Sequence, residues 1–541
     1  MPEVTAKEPK QFKYTGLFRD FLDGKSELKK YLYFDNPADV VKKMKPPKID
    51  RHILCDILDK QNKVFGAKPE TFRSIEKLRQ DDTLVIFSGQ QPGLYGGPLL
   101  TLTKAVGIVK KAVLLQSQTG RSVVPIFWMA CDDHDFEEAN HTWLIDRSGT
   151  VEKVQYAPED MPAVSVADIC FDDETAYNKL IEETKNILGD TDFTEELYSR
   201  LFAACSMDSN FMQAFARYFF DILPDFGLIL FCPQDKDVKT ISKSFFKRLT
   251  EGHFRSKELL AETEKHLRKD GYHIQAEKKE SAVHLFYHDP ERRPIHLEGD
   301  SFLVGNKRLG LPALLDLIDK YPEKFSPDVL TRPVWQSYLF PVVAQSGGPS
   351  EIAYFCQIGR LFEMYGLVQP YIIFRPTLTL VEKRQQALLD KYDISLSDLT
   401  GDVEQVVNRI LSDSFPEVIE KKLSEFRDNL KSGFDDMSGT ILESFSSLEP
   451  MAKQTFGKIG SALDHFEKKV HSQHKKNNDI IRNRIYRLAS TLYPNKSFQE
   501  RVININYFIS RYGFGIVEYM IEKIDINSAR HQLIYLSDYK N

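Results

Sequence analysis

The chain has 541 residues, 42% of them hydrophobic, with a formal net charge of -6 and a sequence pI of about 6.2. Such a length supports more than one core, and near-balanced charge provides no basic footprint for nucleic acid or an anionic membrane, which leaves small-molecule chemistry open. Six scattered cysteines (Cys55, Cys131, Cys170, Cys205, Cys232, Cys356) lack CxxC spacing, and no apolar run approaches the roughly 18 residues of a membrane span, so the expected location is cytoplasmic.

Residues 1–144 read as the N-terminal part of a parallel-sheet α/β core. A helical preamble holds Phe18-Arg-Asp-Phe-Leu22 and Ile53-Leu-Cys-Asp-Ile-Leu58, with a turn at Lys45-Pro-Pro-Lys48. Leu84-Val-Ile-Phe87 then reads as a buried strand, Ser88-Gly-Gln-Gln-Pro-Gly-Leu-Tyr-Gly-Gly-Pro98 as a glycine-rich loop and Leu99–Leu115 as a helix. Val123–Met129 forms the next strand and breaks into Cys131-Asp-Asp-His-Asp-Phe-Glu-Glu138. A βαβ unit places its ligands beyond the carboxyl ends of the strands, where both of these loops fall.

Residues 145–220, polar and acidic, read as a first connecting insertion. The core continues over 221–270 with the strand Gly227–Cys232 and one long charged helix through Val238–Lys269. The runs Ala282–Tyr287, Pro294–Leu297 and Ser301–Val304 make 271–330 a second, antiparallel insertion. Residues 331–380 complete the core: Pro341–Ala344 leads into Gln345-Ser-Gly-Gly-Pro-Ser-Glu351, the helix Ile352–Tyr365 and the strand Tyr371–Phe374. Heptad spacing at Ile419, Leu423, Phe426, Leu430 and Met437, then at Phe456, Ile459, Leu463, Phe466 and Val470, predicts a coiled-coil hairpin within 381–495, reversing near Pro450. The tail, 496–541, is expected to fold back on the core.

The Gly89–Gly97 loop has neither Walker A nor Gly-x-Gly-x-x-Gly spacing. Its glycines can still turn backbone N–H groups toward one anion at the start of the following helix. Gln90, Gln91, Gly93, Gly97, Thr101 and Lys104 are candidates to hold substrate oxygens. In the second loop Asp133 and His134 are candidates to orient or deprotonate an amine, and Asn140 follows them; Asp135 reads mainly as a helix cap with Glu138. That loop has no zinc-specific spacing, and no metal is assigned. Gly348, Glu351 and Tyr354 repeat the loop-to-helix pattern, and Arg375 leaves the last strand. Cys131 and Cys356 read as buried thiols rather than nucleophiles.

Four stretches carry a closer resemblance. Ser88–Pro98, Pro125-Ile-Phe-Trp-Met-Ala130 through Asp133-His-Asp-Phe136 to His141, Gly347-Gly-Pro349 with Glu351-Ile-Ala-Tyr354, and Arg375-Pro-Thr-Leu-Thr379 resemble the bacillithiol-biosynthesis cysteine-adding family, BshC; Gln499-Glu-Arg501 is also similar. The resemblance implies a Rossmann-like core related to class I aminoacyl-tRNA synthetases, two connecting insertions and a helical coiled coil supporting a homodimer. It also implies a ligase joining L-cysteine to glucosaminyl-malate, with no nucleic-acid or membrane partner. His-Ile-Gly-His and Lys-Met-Ser-Lys-Ser are absent, so the cofactor is unknown and ATP is an open expectation. A nucleotidyl transferase using the same core, or a non-catalytic coiled-coil partner of the pathway, remain as alternatives.

Overall fold

The computed structural model describes residues 14–45, 48–132, 135–160, 164–277, 281–289, 291–413 and 415–540. Five strands form the central sheet: β1 (Leu84–Gln90), β2 (Val123–Met129), β3 (Ile229–Phe231), β4 (Val342–Gly347) and β5 (Tyr371–Phe374). Their order is β5-β4-β1-β2-β3, and every pairing is parallel. The near-continuous apolar runs have the composition of strands covered on both faces. Leu84 and Ile86 of β1 enter one hydrophobic core, whereas Val85 and Phe87 enter another on the opposite face, as the two-residue period of a strand requires. From β1 the chain winds outward to β2 and β3, then returns to place β4 on the other flank of β1. The topological switch point therefore lies between β1 and β4, and their carboxyl ends frame a crevice.

Three helices position that crevice: α1 (Leu99–Thr119), α2 (Arg332–Leu339) and α3 (Pro349–Met364). Pro98 occupies the N-cap of α1, and Gly120, at φ 68°, ends the helix in the left-handed conformation that glycine tolerates. Between β2 and β3 stand a hairpin, His141–Ile145 with Val151–Gln155, and the helices Glu174–Leu188, Thr194–Ala204 and Phe211–Ile222.

The second insertion is an antiparallel sheet of five strands. The three runs expected from sequence are joined by the short Lys307–Leu309 and Phe325–Pro327 edges. The single helix expected over 238–269 is instead three: Lys236–Ile241, Lys243–Glu251 and His253–Lys269. Tertiary contacts explain both breaks. Ser242 Oγ donates to the Val238 carbonyl and accepts from Trp335 Nε1 at 2.8 Å, while a Cβ at Gly252 would lie 2.5 Å from Met364 Cε.

The chain divides into two compact units, residues 383–496 and the remainder. In the former, α4 (Glu417–Ser444) and α5 (Glu449–Asn477) run antiparallel, since Arg427 Nη2 lies 2.7 Å from Asp464 and the Phe434 and Phe456 rings are 5.0 Å apart. No residue of α4 is buried, and Phe426 and Met437 of the expected seam are exposed, so the hairpin presents apolar side chains outward. In the larger unit Gln532–Tyr535 pairs in parallel with Leu378–Val381, returning the tail to the core.

Candidate active site

The crevice is built around Lys104. Its position on the second turn of α1 carries the ammonium beneath the end of β1, where it donates to the Gly89 carbonyl at 2.9 Å, Gln90 Oε1 at 2.9 Å and Glu351 Oε1 at 2.8 Å. Three donors meet three acceptors, and the side chain is almost wholly buried. Lys104 is thus not a free charge for substrate oxygens, as its position in sequence suggests; it fixes Gln90 and Glu351. Burial holds the ammonium below its ordinary value, and Glu351 opposes that shift. The Glu351 carboxyl is pushed up by burial but held low overall by Lys104, and its second oxygen accepts the Gly348 N–H at the start of α3. With Oε1 bound to Lys104, the Gln90 amide nitrogen has no hydrogen bond among the described residues.

The glycine loop is held from beneath. Tyr95, Gly96 and Gly97 all have positive φ, and a Cβ at Gly97 would lie 2.9 Å from Thr101 Oγ1. Gly93 packs against Gly97 as closely. Thr101 is fully buried under this turn, and its Oγ1 has no hydrogen-bond partner among the described residues. Gln91 Nε2 donates to the Asp135 carbonyl at 2.9 Å, bridging the first loop to the second.

The third wall comes from a segment unassigned by chain order. The helix α6 (Gln499–Val502) and the following turn pass between the glycine loop and the exit of β5. Gln499 pairs with both backbone groups of Leu380, and Glu500 accepts from Arg375 Nη1 at 2.8 Å and from the Leu378 N–H at 3.1 Å. Asn504 Nδ2 donates to the carbonyls of Tyr95 and Gly97, at 3.1 and 2.6 Å. Arg375, 2% exposed, thus commits Nη1 to Glu500 and to the Pro376 carbonyl. Its neighbour Arg501 differs. That residue is exposed, its charge is felt at Lys104 and Tyr14, and among the described residues its guanidinium has no hydrogen bond or ion pair. Partial desolvation lowers this guanidinium, while Glu500 and Glu351 raise it without pairing with it directly.

Beyond β2, Asp133 and His134 lie outside the described residues. The preceding Asp132 is fully buried, with Arg332 Nη2 of α2 3.3 Å from each carboxyl oxygen. Burial pushes this carboxyl up, but Arg332, Arg292 and Lys239 together bring it down to about 2. Tyr354, on α3, feels both Glu351 and Arg332 and so links the two halves of the crevice; burial first, then Glu351, pushes its hydroxyl up. Asp135 caps the helix Phe136–Ala139 by accepting the Glu138 N–H. Asn140 is fully buried at the end of that helix, and its Nδ2 has no hydrogen-bond partner among the described residues. Cys131 and Cys356 are buried, and burial raises both thiols, which leaves them poor nucleophiles. Among the described residues, no group of three His, Cys, Asp or Glu side chains converges as a metal set, and no helix is long and apolar enough to cross a membrane.

Residues 3–376 match the family described as Bacillithiol biosynthesis BshC, N-terminal Rossmann-like domain, and residues 378–536 match Bacillithiol biosynthesis BshC, C-terminal coiled-coil domain. The chain belongs to the BshC family. Relatives named "Putative cysteine ligase BshC" include those of Desulforamulus reducens and Geobacillus thermodenitrificans, each 30% identical over 90% of this chain and 91% of their own. The relative from Koribacter versatilis is 29% identical over 94% of this chain and 95% of its own.

Within this BshC-family fold, sequence reading brought Gln90, Lys104, Gly348, Glu351 and Tyr354 to one place, and the structure unites them. Sequence reading assigns no site role to Arg332, Glu500, Arg501 or Asn504, and takes Asp132 only as part of the acidic cluster. The visible signal for three of them is the polar cluster Gln499-Glu-Arg501 followed by Asn504.

Proposed function

We propose that this chain forms the amide bond between the carboxyl group of L-cysteine and the amine of glucosaminyl-malate, the cysteine-adding step of bacillithiol biosynthesis. The observation that carries the reading is the charge arrangement at the switch point: Lys104 and Arg375 are each matched to a carboxylate, and Arg501 is left without one. A guanidinium without an ion pair, felt at the Lys104 ammonium that holds Gln90, suits a carboxylate-bearing substrate. The shared name of the relatives favours a ligase over a nucleotidyl transferase or a silent partner.

In this reading Arg501 takes the malate carboxylates and Gln90 and Gln91 orient the sugar-malate. Glu351 and Tyr354 seat the amino-acid part. Lys104 and Arg375 are positioning residues, and Asp133 and His134 keep the role of orienting or deprotonating the amine. The amide nitrogen gives up a proton as its bond to the cysteine carbonyl carbon forms, and one carboxylate oxygen departs with the activating agent. ATP is the agent to test. The exposed apolar side chains of α4 suit a second copy of the same hairpin, hence a homodimer, and the expected compartment is the cytoplasm. Supplying L-cysteine and glucosaminyl-malate, with and without ATP, and following product mass tests the function and the activation together.

A further inference from the structure

The opposite end of the sheet holds a second polar site. Phe340, Pro341 and Val342 enter β4 beside Gly366 and Leu367, which follow α3, and together they enclose a cavity of about 160 Å³. Lys45, Lys48 and Ser337 also line it. The Tyr365 carbonyl at the end of α3 gathers two cations, accepting from Arg248 Nη2 at 3.1 Å and from Lys48 Nζ at 3.5 Å. Among the described residues, none of Lys45, Lys48 and Arg248 has a carboxylate partner. Lys48 is held below its ordinary value by partial desolvation and then by Arg248 and Lys45.

Helix capping explains only part of this. The carbonyl end of a helix amounts to about half a negative elementary charge, which two or three full positive charges exceed. It also leaves a donor unexplained: Ser337, 8% exposed, lines the cavity with a buried Oγ that has no hydrogen-bond partner among the described residues. Buried donors of this kind are costly unless something accepts from them. A volume of about 160 Å³ is below the roughly 300 Å³ at which sites for drug-sized ligands begin, so the occupant is small.

We propose that this cavity binds a small tetrahedral oxyanion, inorganic phosphate or the phosphate of a compact monoester, held by Lys45, Lys48 and Ser337. The inference does not depend on the ligase reading. Both β4 and α3 have one end here and the other in the candidate active site, so an anion bound here contacts the two elements that carry Gly348 and Glu351.

The test is calorimetric titration of the full chain with sodium phosphate against sodium chloride at matched ionic strength, with methyl phosphate as a further arm. Saturable phosphate binding that chloride does not reproduce is expected. The paired replacement Lys45→Met with Lys48→Met should weaken it at least tenfold, and Ser337→Ala, which removes a single hydroxyl, several-fold. Arg501→Gln, in the other crevice, should retain it. Methyl phosphate binding as tightly as phosphate assigns the site to a monoester, and weaker binding assigns it to the free ion. Absence of saturable binding, unchanged affinity in both cavity variants, or loss of binding in Arg501→Gln overturns the proposal.

Discussion

Arg375 and Glu500, 125 residues apart in sequence, are 2.8 Å apart in space, and both side chains are essentially excluded from water. This pair ties the exit of β5 to the segment that closes the candidate active site. Removing one member of a buried pair strands the other charge, so Glu500→Ala is expected to cost about 3–5 kcal/mol in denaturant unfolding. The adjacent Arg501→Gln removes an exposed, unpaired group and should stay within about 0.5 kcal/mol of the parent. A Glu500→Ala protein as stable as the parent would show that the pair does not hold this wall.

Lys104 should be irreplaceable even by arginine. Its three acceptors lie at 2.8–2.9 Å around one nitrogen, a geometry that a planar guanidinium does not reproduce. Lys104→Met and Lys104→Arg are expected to remain folded by circular dichroism while turnover falls on the order of 100-fold, the scale of a misplaced reacting group. Near-normal turnover in Lys104→Arg would mean that only charge is needed there.

Gly89→Ala probes the close approach of β1 and β2. A Cβ at this position would sit 2.6 Å from the Trp128 carbonyl oxygen and 2.9 Å from Trp128 Cβ, so strand backbone would have to move. Overpacking of this kind costs roughly 1–3 kcal/mol, and the displacement falls next to Gln90. The expected result is a lower Tm together with loss of turnover; an unchanged Tm would contradict it.

Much of the core was legible because its signals are local. Apolar runs of strand length, glycine and proline at their ends, and Asp135 as a cap marked the loops that meet at the switch point. What escaped was set by contacts between distant segments. Nothing near Lys104 indicates that Glu351, 247 residues away, would occupy its charge, and nothing near Arg375 points to Glu500. The helix over 238–269 breaks where Trp335 takes Ser242 and where Arg248 and Met364 crowd Gly252. Thr101 and Asn140 are legible as polar groups beside the loops, but their full burial, with Thr101 Oγ1 and Asn140 Nδ2 unpartnered among the described residues, is set by the fold.

His531 supplies a pH signature for the same wall. Its ring lies between Thr379 Oγ1 at 2.9 Å and Thr377 Oγ1 at 3.1 Å and stacks on Phe498; burial first, then Arg375, lowers it to about 3. Between an unfolded value of about 6.5 and that folded value, the unfolded chain binds the extra proton, so stability is lost as pH falls through this window. Urea unfolding at pH 7 and pH 5 should show a decline in the parent that His531→Gln lessens. An equal decline in both proteins would assign the pH dependence elsewhere.

The central claim is that the crevice between β1 and β4 joins cysteine to an anionic amino-sugar. Its most direct measurement is product mass from purified protein given L-cysteine and glucosaminyl-malate, with ATP present or omitted, alongside Arg501→Gln. The account predicts a product whose mass is the sum of both substrates less one water. It also predicts that Arg501→Gln raises KM for glucosaminyl-malate at least tenfold while leaving KM for cysteine nearly unchanged. No such product under either condition, or a product formed equally well by Arg501→Gln at limiting glucosaminyl-malate, would contradict it.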